Sequence, residues 1–77
     1  MDIFFTAQFH AQSRERGLSE KLAERVFWEG TFVMQHGKPT NMKVMKYKDG
    51  EIGIYVFRDE QTNQPVITSI WKRQAKR

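Results

Sequence analysis

The 77-residue chain contains no cysteine. Disulfides and thiolate metal sites are therefore excluded, and both are common supplements to the modest core of a small domain. Two histidines alone make a poor metal set, so no metal and no cofactor is expected. No stretch approaches the ~18 consecutive apolar residues of a membrane span. The opening Met1-Asp2-Ile3-Phe4-Phe5 lacks the basic start and long apolar run of a signal peptide. The expectation is a cytoplasmic protein without membrane association, although a domain cut from a longer exported toxin would read the same way. Also missing are a glycine-rich phosphate loop, histidines paired at ligand spacing and a serine in a nucleophile-elbow setting.

What is present is a globular balance, 39% hydrophobic and 29% charged, which argues for one folded domain over residues 1–77. Aromatic residues reach 13%, so large rings, or a homodimer interface, are left to do the supplementing. The net charge of +4 is unevenly spread. Between Glu29 and Asp49 the only charges are Lys38, Lys43, Lys46 and Lys48, and after Glu60 they are Lys72, Arg73, Lys76 and Arg77. Side by side in a sheet, these acid-free segments would give one face a positive field suited to phosphates. The plainer alternative is an ordinary solvated basic surface.

Residues 2–5 read as a short strand. Thr6 is placed to cap a helix running from Ala7 to Arg16, with Gly17 as a left-handed C-terminal cap and Leu18 as its hydrophobic contact. That helix has only Ala7, Phe9 and Ala11 as apolar residues and is otherwise polar. Ser19 caps a second helix, Glu20 complements its dipole, and Leu22, Ala23, Val26 and Phe27 form a buried stripe up to Gly30. The period then changes. Strands are expected over 31–35, 41–48, 51–58 and 66–73, with turns at 36–39 and Asp49-Gly50, a polar loop over 59–65 and a basic tail over 74–77. In the third of these strands Ile52, Ile54 and Val56 share one face and Gly53, Tyr55 and Phe57 the other, the pattern of a central strand. The fold class is α+β: a short N-terminal strand, two helices, then a four-stranded antiparallel sheet.

Three groups of residues have the chemistry to carry a function. His10 and Arg14 share a helix face at i, i+4; a histidine exchanges protons near neutral pH and an arginine fork holds a phosphate. The same spacing is common by chance between unrelated surface residues. Lys43, Lys46, Lys48 and Arg58 form a strand-borne basic set, with Lys46 and Lys48 on one face and Lys43 on the other. They could equally solubilise the sheet or protect an edge, the reading preferred for Lys48. In the last strand Thr68, Ser69, Trp71, Lys72 and Arg73 offer hydroxyls, a stacking ring and cations for RNA, or Trp71 fills the core. Regular alternation would put Thr68, Ile70 and Lys72 on one face and Ile67, Ser69, Trp71 and Arg73 on the other. His36 reads as a solvated turn residue.

An early helix reading His10-x-x-x-Arg14-x-Arg16-Gly17-Leu18-Ser19, a second helix ending at Gly30 and a last strand containing Val66-Ile67-Thr68 together resemble a small domain family in the barnase/EndoU/colicin/RelE toxin superfamily. The resemblance implies a RelE-like fold and, in many relatives, metal-independent RNA cleavage through attack of the ribose 2′-hydroxyl. It implies His10 as the acid/base, Arg14 with Arg58 or Lys46 clamping the phosphate, and Thr68 donating a hydrogen bond. Lys43, Lys46, Trp71, Lys72 and Arg73 would hold the RNA. A cognate antitoxin or other protein partner and a homodimer are further expectations. The rival reading is a non-enzymatic phage or mobile-element module that binds a protein or nucleic acid, since fold does not imply function.

Overall fold

The computed structural model describes residues 2–74. The elements run β1 (Phe4–Phe5), α1 (Ala7–Arg16), α2 (Glu20–Glu29), β2 (Thr31–Gln35), β3 (Lys38–Tyr47), β4 (Gly50–Arg58) and β5 (Pro65–Gln74). Local chemistry explains the helix limits. The Thr6 hydroxyl accepts from the Phe9 amide at 3.2 Å, and Ser19 accepts from Leu22 at 3.1 Å. Gly17 takes the left-handed conformation at φ 67°, and Leu18 is buried behind it. Gly30 ends α2 for a different reason: its backbone is extended, and a Cβ there would press on the carbonyls of Val26 and Val44.

The strands form one sheet in the order β1-β5-β4-β3-β2. β1 pairs parallel with β5, so the expected four antiparallel strands gain a fifth from the N-terminal segment. The first hairpin turn is only His36-Gly37, at φ 53° and 76°, the positive pair that a two-residue turn needs. Pro39 accordingly lies in β3 rather than in the turn. The second turn is Lys48-Asp49, with Tyr47 paired to Gly50, which removes Lys48 from the strand face it was expected to share with Lys46. The expected basic tail begins inside β5 at Gln74, and Lys76 and Arg77 lie outside the described residues.

Regular alternation in the last strand does not hold. Tyr55 pairs with Ser69 but Val56 pairs with Ile67, so Thr68 is the extra residue of a β-bulge. The bulge resets the side-chain parity. Ile67 and Ile70 therefore both face the helices, and both are fully buried with Phe9, Ala23, Val26 and Ile54. Trp71 points the other way and lies over Gly53, its cross-strand partner.

α1 packs against β5, and α2 against β3 and β4, on the same side of the sheet. The polarity of α1 follows from where it sits. Phe9 enters the core, while Gln8, Gln12 and Arg16, at i, i+4 and i+8, meet the edge of β5. The Ile70 amide donates to Gln12 Oε1 at 3.2 Å, and Arg16 Nη1 donates to the Ile70 carbonyl at 2.7 Å. Those backbone groups would otherwise be an unpaired sheet edge.

No described helix lies on the other side of the sheet. Trp71 can lie flat there only because Gly53 has no side chain, as a Cβ would fall inside the indole ring. In a Trp28→Phe background, Gly53→Ala should displace Trp71, shift its fluorescence to the red and cost about 1–3 kcal/mol in urea unfolding. An unshifted spectrum and unchanged midpoint would show that the ring does not depend on the glycine.

Candidate functional site

The strand registers place side chains on the helix-free face in four rows. The first is Phe4, Val66 and Phe57; the second is Ser69, Tyr55 and Met42. The third is Trp71, Gly53, Val44 and Thr31, and the fourth is Arg73, Glu51 and Lys46. The face thus grades from aromatic at one end to charged at the other. Phe4, Phe57 and Tyr55 are 53%, 45% and 40% exposed, so their rings meet solvent rather than a second layer.

The charged row is only mildly positive. Glu51 stands between Lys46, its partner across β3, and Arg73, with which it forms an ion pair. Arg73 also lies 5.8 Å from the Trp71 ring. The two acid-free segments are not side by side: β4 separates β3 from β5 and inserts this carboxylate. The expected continuous positive field is broken there. Lys46 remains exposed on this face.

Lys43 and Lys72 lie on the helical side. Lys43 pairs in register with Ile54, and its ammonium donates to the Phe27 carbonyl in the last turn of α2. It also sits 4.7 Å and 5.0 Å from the ring centres of Phe27 and Phe32. A cation in that position satisfies a helix-end carbonyl and complements the dipole. Lys72 pairs with Ile52 and lies 5.5 Å from the Tyr47 ring.

His10 is exposed on α1, with Nδ1 3.6 Å from Glu20 Oε2 and its ring against Phe5 and Phe9 at 6.3 Å and 5.6 Å. Arg14 is exposed one turn further along. Arg58 Nη1 donates to the Asn63 carbonyl at 3.0 Å, fastening the loop between β4 and β5. Asp59 holds the same loop by accepting from the Gln61 and Thr62 amides. Thr68 is half-buried in the bulge. Among the described residues, no hydrogen bond or ion pair joins any two of His10, Arg14, Arg58 and Thr68. A broad concavity at the β2–β3 end is lined partly by Lys46, Trp71, Lys72 and Arg73 and by none of those four. Its lining comes from both sides of the sheet, so it is not one enclosed chamber.

No three His, Asp or Glu side chains among the described residues converge as a metal-ligand set. No described helix is long and apolar enough to cross a membrane. No protein-family model matches the chain, and comparison with curated proteins and with solved structures likewise finds no match. The resemblance drawn from the sequence therefore stands at the level of a small α+β fold, two helices followed by a mixed five-stranded sheet.

Phe4, Tyr55 and Phe57 were not among the site residues expected from the sequence, yet a signal for them exists. Two ten-residue helices are each ~15 Å long and can cover only one side of a five-stranded sheet. The alternate residues of β4 had to face outward.

Burial beside Phe27 lowers the Lys43 pKa below the ordinary lysine value. Between the lowered native value and 10.5 the unfolded chain binds more protons, so stability rises with pH. The contribution is complete above 10.5 and is lost as pH falls through the native value. The difference in unfolding free energy between the native protein and Lys43→Met should therefore move in favour of the native protein across the alkaline range. A difference independent of pH would show that Lys43 is not desolvated.

Proposed function

We propose that the protein is an RNA-directed domain that holds single-stranded RNA on its helix-free sheet face. The observation supporting this is the exposed rings of Phe4, Tyr55 and Phe57, with the half-buried Trp71, beside Lys46 and Arg73. Unstacked bases lie on such rings at roughly 1–3 kcal/mol each, whatever their identity. Lys46 and Arg73 then meet phosphates at the charged end, and Ser69 offers a hydroxyl between the aromatic rows. The net charge of +4 favours the encounter. A packed protein core has no need of rings facing water in adjacent rows, and duplex nucleic acid would leave them nothing to stack on.

The test is anisotropy of a labelled single-stranded RNA titrated with the full chain. Tyr55→Ala and Phe57→Ala should each weaken binding about 5- to 100-fold, the equivalent of one lost stack. Affinity should also fall with added salt. Binding left unchanged by both substitutions would overturn the assignment of this face.

The second reading is metal-independent RNA cleavage by a cytoplasmic toxin-like domain of the barnase/EndoU/colicin/RelE type, held in check by a protein antitoxin. Its support is the His10–Glu20 approach, with Arg14 one turn away. In that chemistry Glu20 would close from 3.6 Å onto Nδ1 when RNA binds, orienting the imidazole and leaving Nε2 to exchange the proton. The 2′-oxygen attacks phosphorus, the 2′-hydroxyl proton passes to a base, the P–O5′ bond breaks and the leaving oxygen takes up a proton. Arg14 neutralises the pentacoordinate phosphate, and Thr68 and Arg58 remain the further candidates that the resemblance supplies. Purified protein should then yield cyclic-phosphate ends from RNA in EDTA, and His10→Ala should reduce the rate at least ~100-fold with the fold retained. Undiminished cleavage in that variant would remove His10 from the role, and no cleavage at all would leave the binding module.

A further inference from the structure

The two ends of the sheet are finished differently. Beside β5, α1 side chains occupy the backbone of Ile70, and β1 continues the pairing. At the other end β2 has no neighbour beyond β3 among the described residues, and no residue of Thr31-Phe32-Val33-Met34-Gln35 is charged. Edge strands are ordinarily protected by lysine, proline, a bulge turned outward or a covering helix. α2 rests on β3 and β4 and leaves β2 open, with Phe32 43%, Met34 59% and the neighbouring Trp28 60% exposed.

We propose that β2 is a homodimer interface, pairing antiparallel with β2 of a second copy about a twofold axis at Val33. The pattern of the strand is self-complementary in this register alone. Val33 faces Val33, Phe32 faces Met34, and Thr31 faces Gln35, so apolar meets apolar and polar meets polar at every position. The backbone has the matching phase. The register between β2 and β3 shifts between Phe32 and Met34, where Val33 alone stands against Thr40, Asn41 and Met42, so the extra residues lie in β3. The Val33 carbonyl accepts from Thr40 Oγ1 at 2.8 Å and turns inward, and the backbone groups of Phe32 and Met34 turn outward. Phe32 and Met34 of opposing copies then exchange their amide–carbonyl bonds in two pairs. The pairing carries Glu29, at the end of α2 and ion-paired with Arg25 at 2.9 Å, toward the acid-free turn of the other copy, where His36 and Lys38 stand. A twofold axis makes each of these contacts twice. An interface of five residues a side is small, so the dimer belongs to the weak, concentration-dependent class.

The proposal is independent of RNA binding and is tested without RNA. Sedimentation velocity of the full chain should show a monomer–dimer equilibrium that shifts to dimer toward millimolar concentration. Met34→Lys, a substitution at an exposed position, should abolish the dimer while circular dichroism is unchanged. The cysteine-free sequence permits a sharper test. Val33→Cys places two sulfurs at a non-hydrogen-bonded pair, where Cα atoms stand about 4.5 Å apart, close enough to bridge. It should oxidise to a disulfide dimer far faster than Gln35→Cys, whose thiols lie at opposite ends of the paired strands. A monomer at every concentration, or equal cross-linking by the two cysteine variants, would overturn the interface.

Discussion

The seating of α1 against β5 determines how the remaining elements can pack. Phe9 anchors the helix in the core, while Gln12 and Arg16 take the Ile70 amide and carbonyl. Burying a phenylalanine contributes about 2–3 kcal/mol, but the polar contacts carry the specificity, because a sheet edge left unpaired beneath a helix would be costly. With α1 fixed there, α2 can reach only β3 and β4 on the same side. One sheet face is thereby assigned to the core and the other to solvent, and β2 is left as the uncovered edge.

Much of this was legible in the chain. Thr6, Gly17 and Ser19 mark helix limits through backbone chemistry that acts within a few residues, and the structure uses each as its type suggests. The alternation in β4 and its place at the centre of the sheet follow from the same short-range logic. What escaped depends on partners distant in sequence. Thr68 looks like any strand residue, and only the register against Tyr55 and Val56 makes it a bulge. Lys43 looks like a surface cation until Phe27 brings a helix-end carbonyl to it. The polar stripe of α1 reads as a solvated face unless the sheet edge it serves is known.

The candidate site was legible to a lesser degree, for an electrostatic reason. Counting charges along the chain gives two acid-free segments, but a sheet orders strands by pairing and not by sequence. Insertion of β4 between β3 and β5 brings Glu51 between Lys46 and Arg73. The carboxylate costs the face part of its positive potential, and it also holds the Arg73 guanidinium near Trp71. A ring and a cation kept close in this way suit a base and its phosphate better than a diffuse positive patch does. On the proposed reading, RNA would be held more by stacking than by net charge.

The two functional readings occupy different sides of the molecule. His10 stands on the helical side, against Phe5, Phe9 and Glu20, whereas Tyr55, Phe57 and Trp71 face away from both helices. RNA stacked on the open face has the thickness of the sheet between its phosphates and His10. For one molecule of RNA to serve both, it must pass around the β1 end, where Phe4 is exposed on the open face and Phe5 packs beside His10. β1 is only two residues long, and its side chains pass from one side of the sheet to the other within it. That passage is the shortest route from the stacking rows to the imidazole. A strand too short to reach around it would engage the rings without meeting His10, so any cleavage at His10 should depend on RNA length far more steeply than binding does.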